Sequence, residues 1–158
     1  MADIDVFEVS DDNVSDNLFR CVTFQLDNET YGVNVMQVQE VLRCSEIDSV
    51  PGSPDYVLGI INLRGCVVTV IDTRVLFSLP NSKSLNFDSS SRIIIVEIDN
   101  QVVGMLVDSV KEVINLDESQ IDSRSNINTE DRVQFIRGVF NRNNDLLIII
   151  DLDKILKN

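Results

Sequence analysis

The 158-residue chain contains no histidine, which removes the most common general base and the most common metal ligand together. It has three cysteines, Cys21, Cys44 and Cys66, an odd number without C-x-x-C spacing. That pattern fits reduced, mostly buried structural thiols better than a disulfide framework or a zinc site. Gly52, Gly59 and Gly65 fall in neither phosphate-loop nor dinucleotide-binding spacing. No apolar run approaches the roughly 18 residues needed to cross a bilayer, and the opening M-A-D-I-D-V-F-E-V-S lacks the basic-then-apolar order of a signal peptide. A cytoplasmic location is expected. Basic residues are also scarce. A formal net charge of -13 disfavours nucleic acid and anionic membranes, both of which select clustered Lys and Arg.

What is present begins with an uneven distribution of acid. Asp3, Asp5, Glu8, Asp11, Asp12 and Asp16 all precede the first basic residue, Arg20. Residues 1–20 therefore read as an acidic, disordered and solvated tail, with an acidic docking segment as the alternative although no motif defines one. The hydrophobic content of 44% lets the remainder bury a core as one domain or two small ones.

Two blocks of sequence recur. Phe24 to Arg43 (FQLDNETYGVNVMQVQEVLR) matches Val96 to Asn115 (VEIDNQVVGMLVDSVKEVIN) at an offset of 72 residues, aligning Asp27 with Asp99, Gly32 with Gly104 and Glu40 with Glu112. Tyr56 to Phe77 (YVLGIINLRGCVVTVIDTRVLF) matches Phe135 to Leu156 (FIRGVFNRNNDLLIIIDLDKIL) at an offset of 79, aligning Gly59 with Gly138, Asn62 with Asn141 and Asp72 with Asp151. The chain is a duplicated unit. Each copy predicts a hairpin around a D-N turn. An apolar piece follows (Val35, Val38, Val41, Leu42; Val107, Val110, Val113, Ile114), whose steps of three and four suit one or two helical turns. After a polar connection come two further strands and a short closing amphipathic piece. About five short Val- and Ile-rich strands per unit suit a small barrel, which removes exposed edges. The expected fold is mainly β, two pseudo-symmetric five-stranded barrels with short helices. The first spans 21–79, a linker 80–91 and the second 92–158.

Candidate chemistry is sparse. Asp72 and Asp151, equivalent in the repeat, could form paired carboxylates, but their place ahead of short helical pieces favours N-caps. Two function classes remain: a protein-interaction module, or a small hydrolase using carboxylates alone, distinguishable by whether carboxylates converge in a pocket. The G-I-I-N-L-R-G stretch carries Arg64 at a hairpin corner where the second copy has N-R-N-N. The barrel does not require an arginine there, so Arg64 points to a partner or to ordering a groove, with Glu40 of the same barrel as its other expected ligand.

The strings V-P-G-S-P-D-Y-V-L-G-I-I-N-L-R-G, V-I-D-T-R and V-V-G-M-L-V-D-S-V-K-E-V, with F-Q-L-D-N-E-T-Y-G-V-N-V before them, resemble the CheW-type coupling proteins of bacterial chemotaxis from about Cys21 to Leu156. The resemblance implies SH3-like barrels and a cofactor-free, metal-free, non-catalytic adaptor. It would link the cytoplasmic tips of chemoreceptors, the methyl-accepting chemotaxis proteins, to the regulatory domain of the histidine kinase CheA in receptor arrays, recruited to the membrane through proteins and not by insertion. A similar adaptor in another two-component pathway is the related alternative. It also implies a receptor-binding groove that includes Val38, Glu40, Gly59, Asn62, Arg64, Gly104 and Val113, and a kinase contact on the first barrel's edge among Val67, Thr69 and Ile71, whose outward faces the sequence leaves open. Valines at such spacing are also ordinary core residues.

Overall fold

The structure, a computed structural model, describes residues 18–77, 79, 88–122, 135–142 and 144–155. The first copy contributes β1 (Leu18–Leu26), β2 (Glu29–Asn34), β3 (Val38–Arg43), β4 (Val57–Leu63), β5 (Cys66–Asp72) and the single turn α1 (Thr73–Leu76). The second contributes β6 (Arg92–Ile98), β7 (Gln101–Val107), β8 (Ser109–Asp117), β9 (Ile136–Arg142), β10 (Asp145–Ile150) and a 3-10 turn at Leu152–Lys154. Asp27 adopts φ 54°, and Asp99 and Asn100 adopt φ 50° and 67°, left-handed values that Asn and Asp tolerate and that match the twist of tight hairpins. Asp72 and Asp151 are N-caps as expected. Asp72 accepts from the Arg74 and Val75 amides at 3.1 and 3.4 Å, and Asp151 from the Asp153 amide at 3.1 Å.

The segments expected to be helical are mostly strand. Val35–Gln37 forms one 3-10 turn, but Val38 to Arg43 and Ser109 to Asp117 are extended. Each carries a bulge. Pairing jumps from Val38 to Glu40 opposite Val96 and Ile95, and from Val110 to Glu112 opposite Phe24 and Thr23. The extra residues, Gln39 and Lys111, are equivalent in the repeat. One inserted residue returns the side chain three positions on to the same face, so Val38 and Val41, like Val110 and Val113, reach the same core at a spacing that imitates a helix.

The sheets also do not follow the division of the chain at 80–91. Their strand orders are β8-β1-β2-β10-β9 and β3-β6-β7-β5-β4. Exchanging each strand for its counterpart in the other copy converts one order into the other, which is the expected pseudo-symmetry. Each sheet, however, joins the opening hairpin of one copy to the last three strands of the other, through the parallel pairs β2–β10 and β5–β7. Barrels confined to 21–79 and 92–158 are thus corrected to two interlocked barrels. The two copies share one strand pattern, so alternation is satisfied equally by pairing within or between copies; only closure of the whole core selects the partner. Of the expected tail, Leu18 to Arg20 belong to β1, and residues 1–17 lie outside the described residues. So do 80–87 of the linker and all but Asp122 of the second copy's polar connection.

Each barrel closes at a short seam. Asp48 exchanges two backbone hydrogen bonds with Ile60 (2.9 and 2.8 Å), and Asp122 two with Val139 (2.8 and 2.9 Å). One apolar cluster belongs to each sheet alone, around Cys21, Ile114 and Ile149 in one and Val70, Ile93 and Ile95 in the other. A third and largest draws on both. Central strands are buried on both faces, which is why β6 and β10 read R-I-I-I-V-E-I and D-L-L-I-I-I without alternation.

Of the three thiols expected to be mostly buried, one is. Cys21 is buried, Cys44 intermediate and Cys66 exposed at the start of β5. Burial pushes the Cys21 thiol up to about 12, outweighing the opposing Arg142 charge. At pH 8 a thiol reagent should label Cys66 quickly and Cys44 slowly, with Cys21 labelled only after denaturant unfolds the barrel; early Cys21 labelling on a mass-spectrometric time course would contradict this placement.

Candidate functional site: an exposed arginine–glutamate pair

The two-residue corner of the β4–β5 hairpin, between the paired Leu63 and Cys66, consists of Arg64 (φ 52°) and Gly65 (φ 87°). Positive φ at both positions defines the tight turn that suits twisted strands. Glycine adopts it freely; arginine does so at a cost of about 1–2 kcal/mol. The Asn62 side-chain oxygen accepts the Gly65 amide at 2.8 Å, bracing the turn. From there the Arg64 guanidinium reaches Glu40 on β3 in a two-pronged pair, Nη1 to Oε1 at 3.3 Å and Nη2 to Oε2. The hydrogen bond to Glu40 raises the arginine's pKa further above its usual value. β3 and β4 are the two ends of their sheet, so the pair spans the barrel's open side, with the Asp48–Ile60 seam further along. The Arg64 side chain is 70% exposed while that of Glu40 is 14% exposed.

The other barrel repeats the device with a difference. Arg142 meets Glu112 at 3.2 Å, again across the open side between terminal strands β8 and β9. Arg142 aligns with Leu63, one residue before Arg64, and lies within β9.

Among the expected partner residues, Asn62, Val67 and Thr69 share the outer face of this hairpin and Arg64 stands at its tip, while Glu40 pairs with Ile95 of the barrel's internal cluster and meets Arg64 at the barrel's open side. Val67 and Thr69 point outward, Val67 being 68% exposed, and Val67 pairs across the ladder with Asn62. Ile71 does not join them. It is buried in the core shared by both sheets, because β5 passes beneath the second barrel there and its alternation ends. Gly59 and Gly104 are internal as well. A Cβ on Gly59 would stand 2.0 Å from the Asp48 carbonyl oxygen, and one on Gly104 2.9 Å from Ile93. Val38 and Val113 are half-buried and pack on the shared core. Sequence reasoning passed over Glu112, Arg142 and the exposed Leu146, although the 72- and 79-residue offsets place Glu112 and Leu146 opposite Glu40 and Val67. It also passed over Met36, which is 85% exposed and has no signal in the repeat.

Most of the carboxylates that converge are held in structural bonds. Arg74 binds Asp27 at 2.9 Å and approaches Asp108 at 3.8 Å, while Asp108 accepts the Asp27 amide at 2.7 Å. Asp72 caps α1, and its burial raises its pKa. Glu112 and Asp145 both line a cavity of about 240 Å³, with Glu112 held by Arg142. No cluster among the described residues could hold a metal ion, and no helix among them is long and apolar enough to cross a membrane.

Two interlocked barrels, with charged and aliphatic side chains presented at a hairpin corner and most converging carboxylates committed to caps and ion pairs, define a protein-interaction module. The model of the CheW-like domain family matches residues 20–158. Chemotaxis protein CheW of Bacillus subtilis is 33% identical over 137 residues, covering 87% of this chain and 86% of the relative. The protein of the same name from Klebsiella aerogenes is 30% identical over 135 residues, covering 85% and 80%. A crystal structure of the scaffolding protein TtCheW from Thermoanaerobacter tengcongensis superposes with a TM-score of 0.79 at 36% identity, covering 89% of this chain and 93% of that one. The chain belongs to the CheW-like family.

Proposed function

We propose that this chain is a non-catalytic adaptor of bacterial chemotaxis that couples the cytoplasmic tips of chemoreceptors to the histidine kinase CheA, and is recruited to membrane arrays through those partners. The observation that carries the reading is the Arg64 guanidinium, held in a strained, braced turn and left largely exposed beside Glu40. Strain of this kind persists where the surroundings over-determine it, and it clusters at working sites. The receptor contact is assigned to Arg64 with Glu40 beside it, and the kinase contact to Val67 and Thr69 on the adjoining outer face. Membership of the CheW-like family supports the adaptor role; the hydrolase alternative has no support in the family or the site.

Arg64→Ala tests it. Arg64 lies outside the core, but its removal leaves the 14%-exposed Glu40 carboxylate without that partner, so stability should fall by only about 1 kcal/mol. Affinity for a receptor-tip fragment should fall about thirtyfold, about 2 kcal/mol, if the guanidinium is central to the contact. Arg64→Lys should restore part of it, keeping charge without the planar fork. CheA regulatory-domain binding should survive Arg64→Ala and be lost in Val67→Asp. Unchanged binding of both fragments by Arg64→Ala would overturn the assignment.

A further inference from the structure

The two barrels supply an internal control for the Arg64 turn. Both close their open side with an arginine–glutamate pair. In one barrel Arg142 does so from within strand β9, so closing a barrel of this design does not require an arginine in the left-handed region. Shifting the arginine one residue outward, to the turn, has two consequences. The arginine becomes more exposed, 70% against 47%, and its glutamate more buried, 14% against 52%. The strain at φ 52° therefore accompanies presentation of the guanidinium and not closure of the barrel. The adjacent turn position is Gly65, the residue that opposes a left-handed turn least. What braces this turn is the Asn62 oxygen on the Gly65 amide at 2.8 Å.

We propose that Asn62 is a positioning residue: its bond to the Gly65 amide locks the tight turn and holds the Arg64 guanidinium on Glu40, pre-organised for the partner. This rests on the reading of Arg64 as a receptor contact. Asn62 acts through Arg64, so its side chain need not touch the partner. Without the brace the corner samples other turn conformations, and the guanidinium must be re-ordered on each encounter, a cost that appears as lost affinity.

The experiment is a mutant cycle read by receptor-tip affinity, with the Arg64 Nη–H resonances, the groups that donate to Glu40, as a second readout on the free protein. Asn62→Ala should weaken binding about tenfold and move the Arg64 Nη–H signals toward those of a solvated arginine. Asn62→Asp, which keeps the accepting oxygen, should restore both. In an Arg64→Ala background, Asn62→Ala should have no further effect, because the group it positions is gone. An equal loss in that background would overturn the proposal, as would an Asn62→Ala protein whose Arg64 resonance and affinity are unchanged. Kinase-fragment binding and the melting midpoint separate positioning from damage to the hairpin: a fall in either that matches the loss of receptor binding also overturns it. If Arg64→Ala itself binds receptor normally, the receptor reading fails, while the resonance still reports whether Asn62 orders Arg64.

Discussion

Gly59→Ala should leave little or no folded protein under conditions where the wild type melts cooperatively. The added methyl would sit 2.0 Å from the Asp48 carbonyl oxygen and 2.6 Å from its carbon, and both are backbone atoms that cannot rotate aside. Gly59 also adopts φ 153°, a region that side chains avoid. Relief requires pulling Asp48 away from Ile60, and that pair supplies both hydrogen bonds of the barrel seam. Backbone strain and two lost hydrogen bonds together amount to about 3–5 kcal/mol, a large share of what a domain of this size possesses. Gly138→Ala, at the equivalent seam, meets the Asp122 oxygen at 2.8 Å and should be damaging but milder. Gly65→Ala is the control. Nothing lies within 4 Å of its Cβ, so only the left-handed conformation is charged, about 1 kcal/mol. Urea unfolding of the three variants gives the ranking, and a Gly59→Ala midpoint close to that of Gly65→Ala would remove the seam from this account.

Phe77→Ala should cost about 3–5 kcal/mol, the range for truncating a buried phenylalanine. Phe77 is 1% exposed and follows α1 at the end of the first copy. It occupies the middle of an aromatic chain, with its ring 5.5 Å from Tyr31 and 5.5 Å from Phe135. Tyr31 in turn stacks on Phe24 at 5.8 Å. Phe24 and Tyr31 belong to the sheet that contains β9 and β10, so one side chain ties the first copy's last element to the other barrel. The cavity would open in the core common to both sheets, and both barrels should melt together in one transition. Two separated transitions by calorimetry, or a loss below about 1.5 kcal/mol, would mean that the barrels do not depend on this contact. Phe77→Leu, which keeps most of the volume, should recover the greater part of the stability.

The repeat, the hairpin turns and the two aspartate caps were legible because each rests on chemistry within a few residues. A D-N pair accepts left-handed backbone, an aspartate ahead of a short helical turn satisfies its free amides, and a shared glycine at a fixed offset marks a position where a Cβ is not tolerated. Gly59 and Gly138 were visible as a matched pair, but the Asp48 and Asp122 backbones that exclude their Cβ atoms lie more than ten residues away, so a groove position and a seam position looked the same. The arginine at the corner was legible as dispensable to the fold, since the second copy lacks it there. Its grip on Glu40, foreseen as one of two options, needed the curl of the sheet to bring β3 opposite β4.

By itself the sequence determined the duplication, the hairpins and aspartate caps of each copy, the lack of histidine-based or phosphate-loop chemistry, and the residues at each corner, because these follow from local backbone preference and from composition. Tertiary structure decided which copy's strands pair, since two copies with one hydrophobic pattern offer equivalent partners and only a closed common core distinguishes them. It also decided that Val67 and Thr69 face outward while Ile71 does not, and that the three-residue valine spacing belongs to bulged strands and not to a helix. A strand covered on both faces loses its alternation, and a bulge shifts it by one, so the direction of those side chains is set by what packs against the sheet.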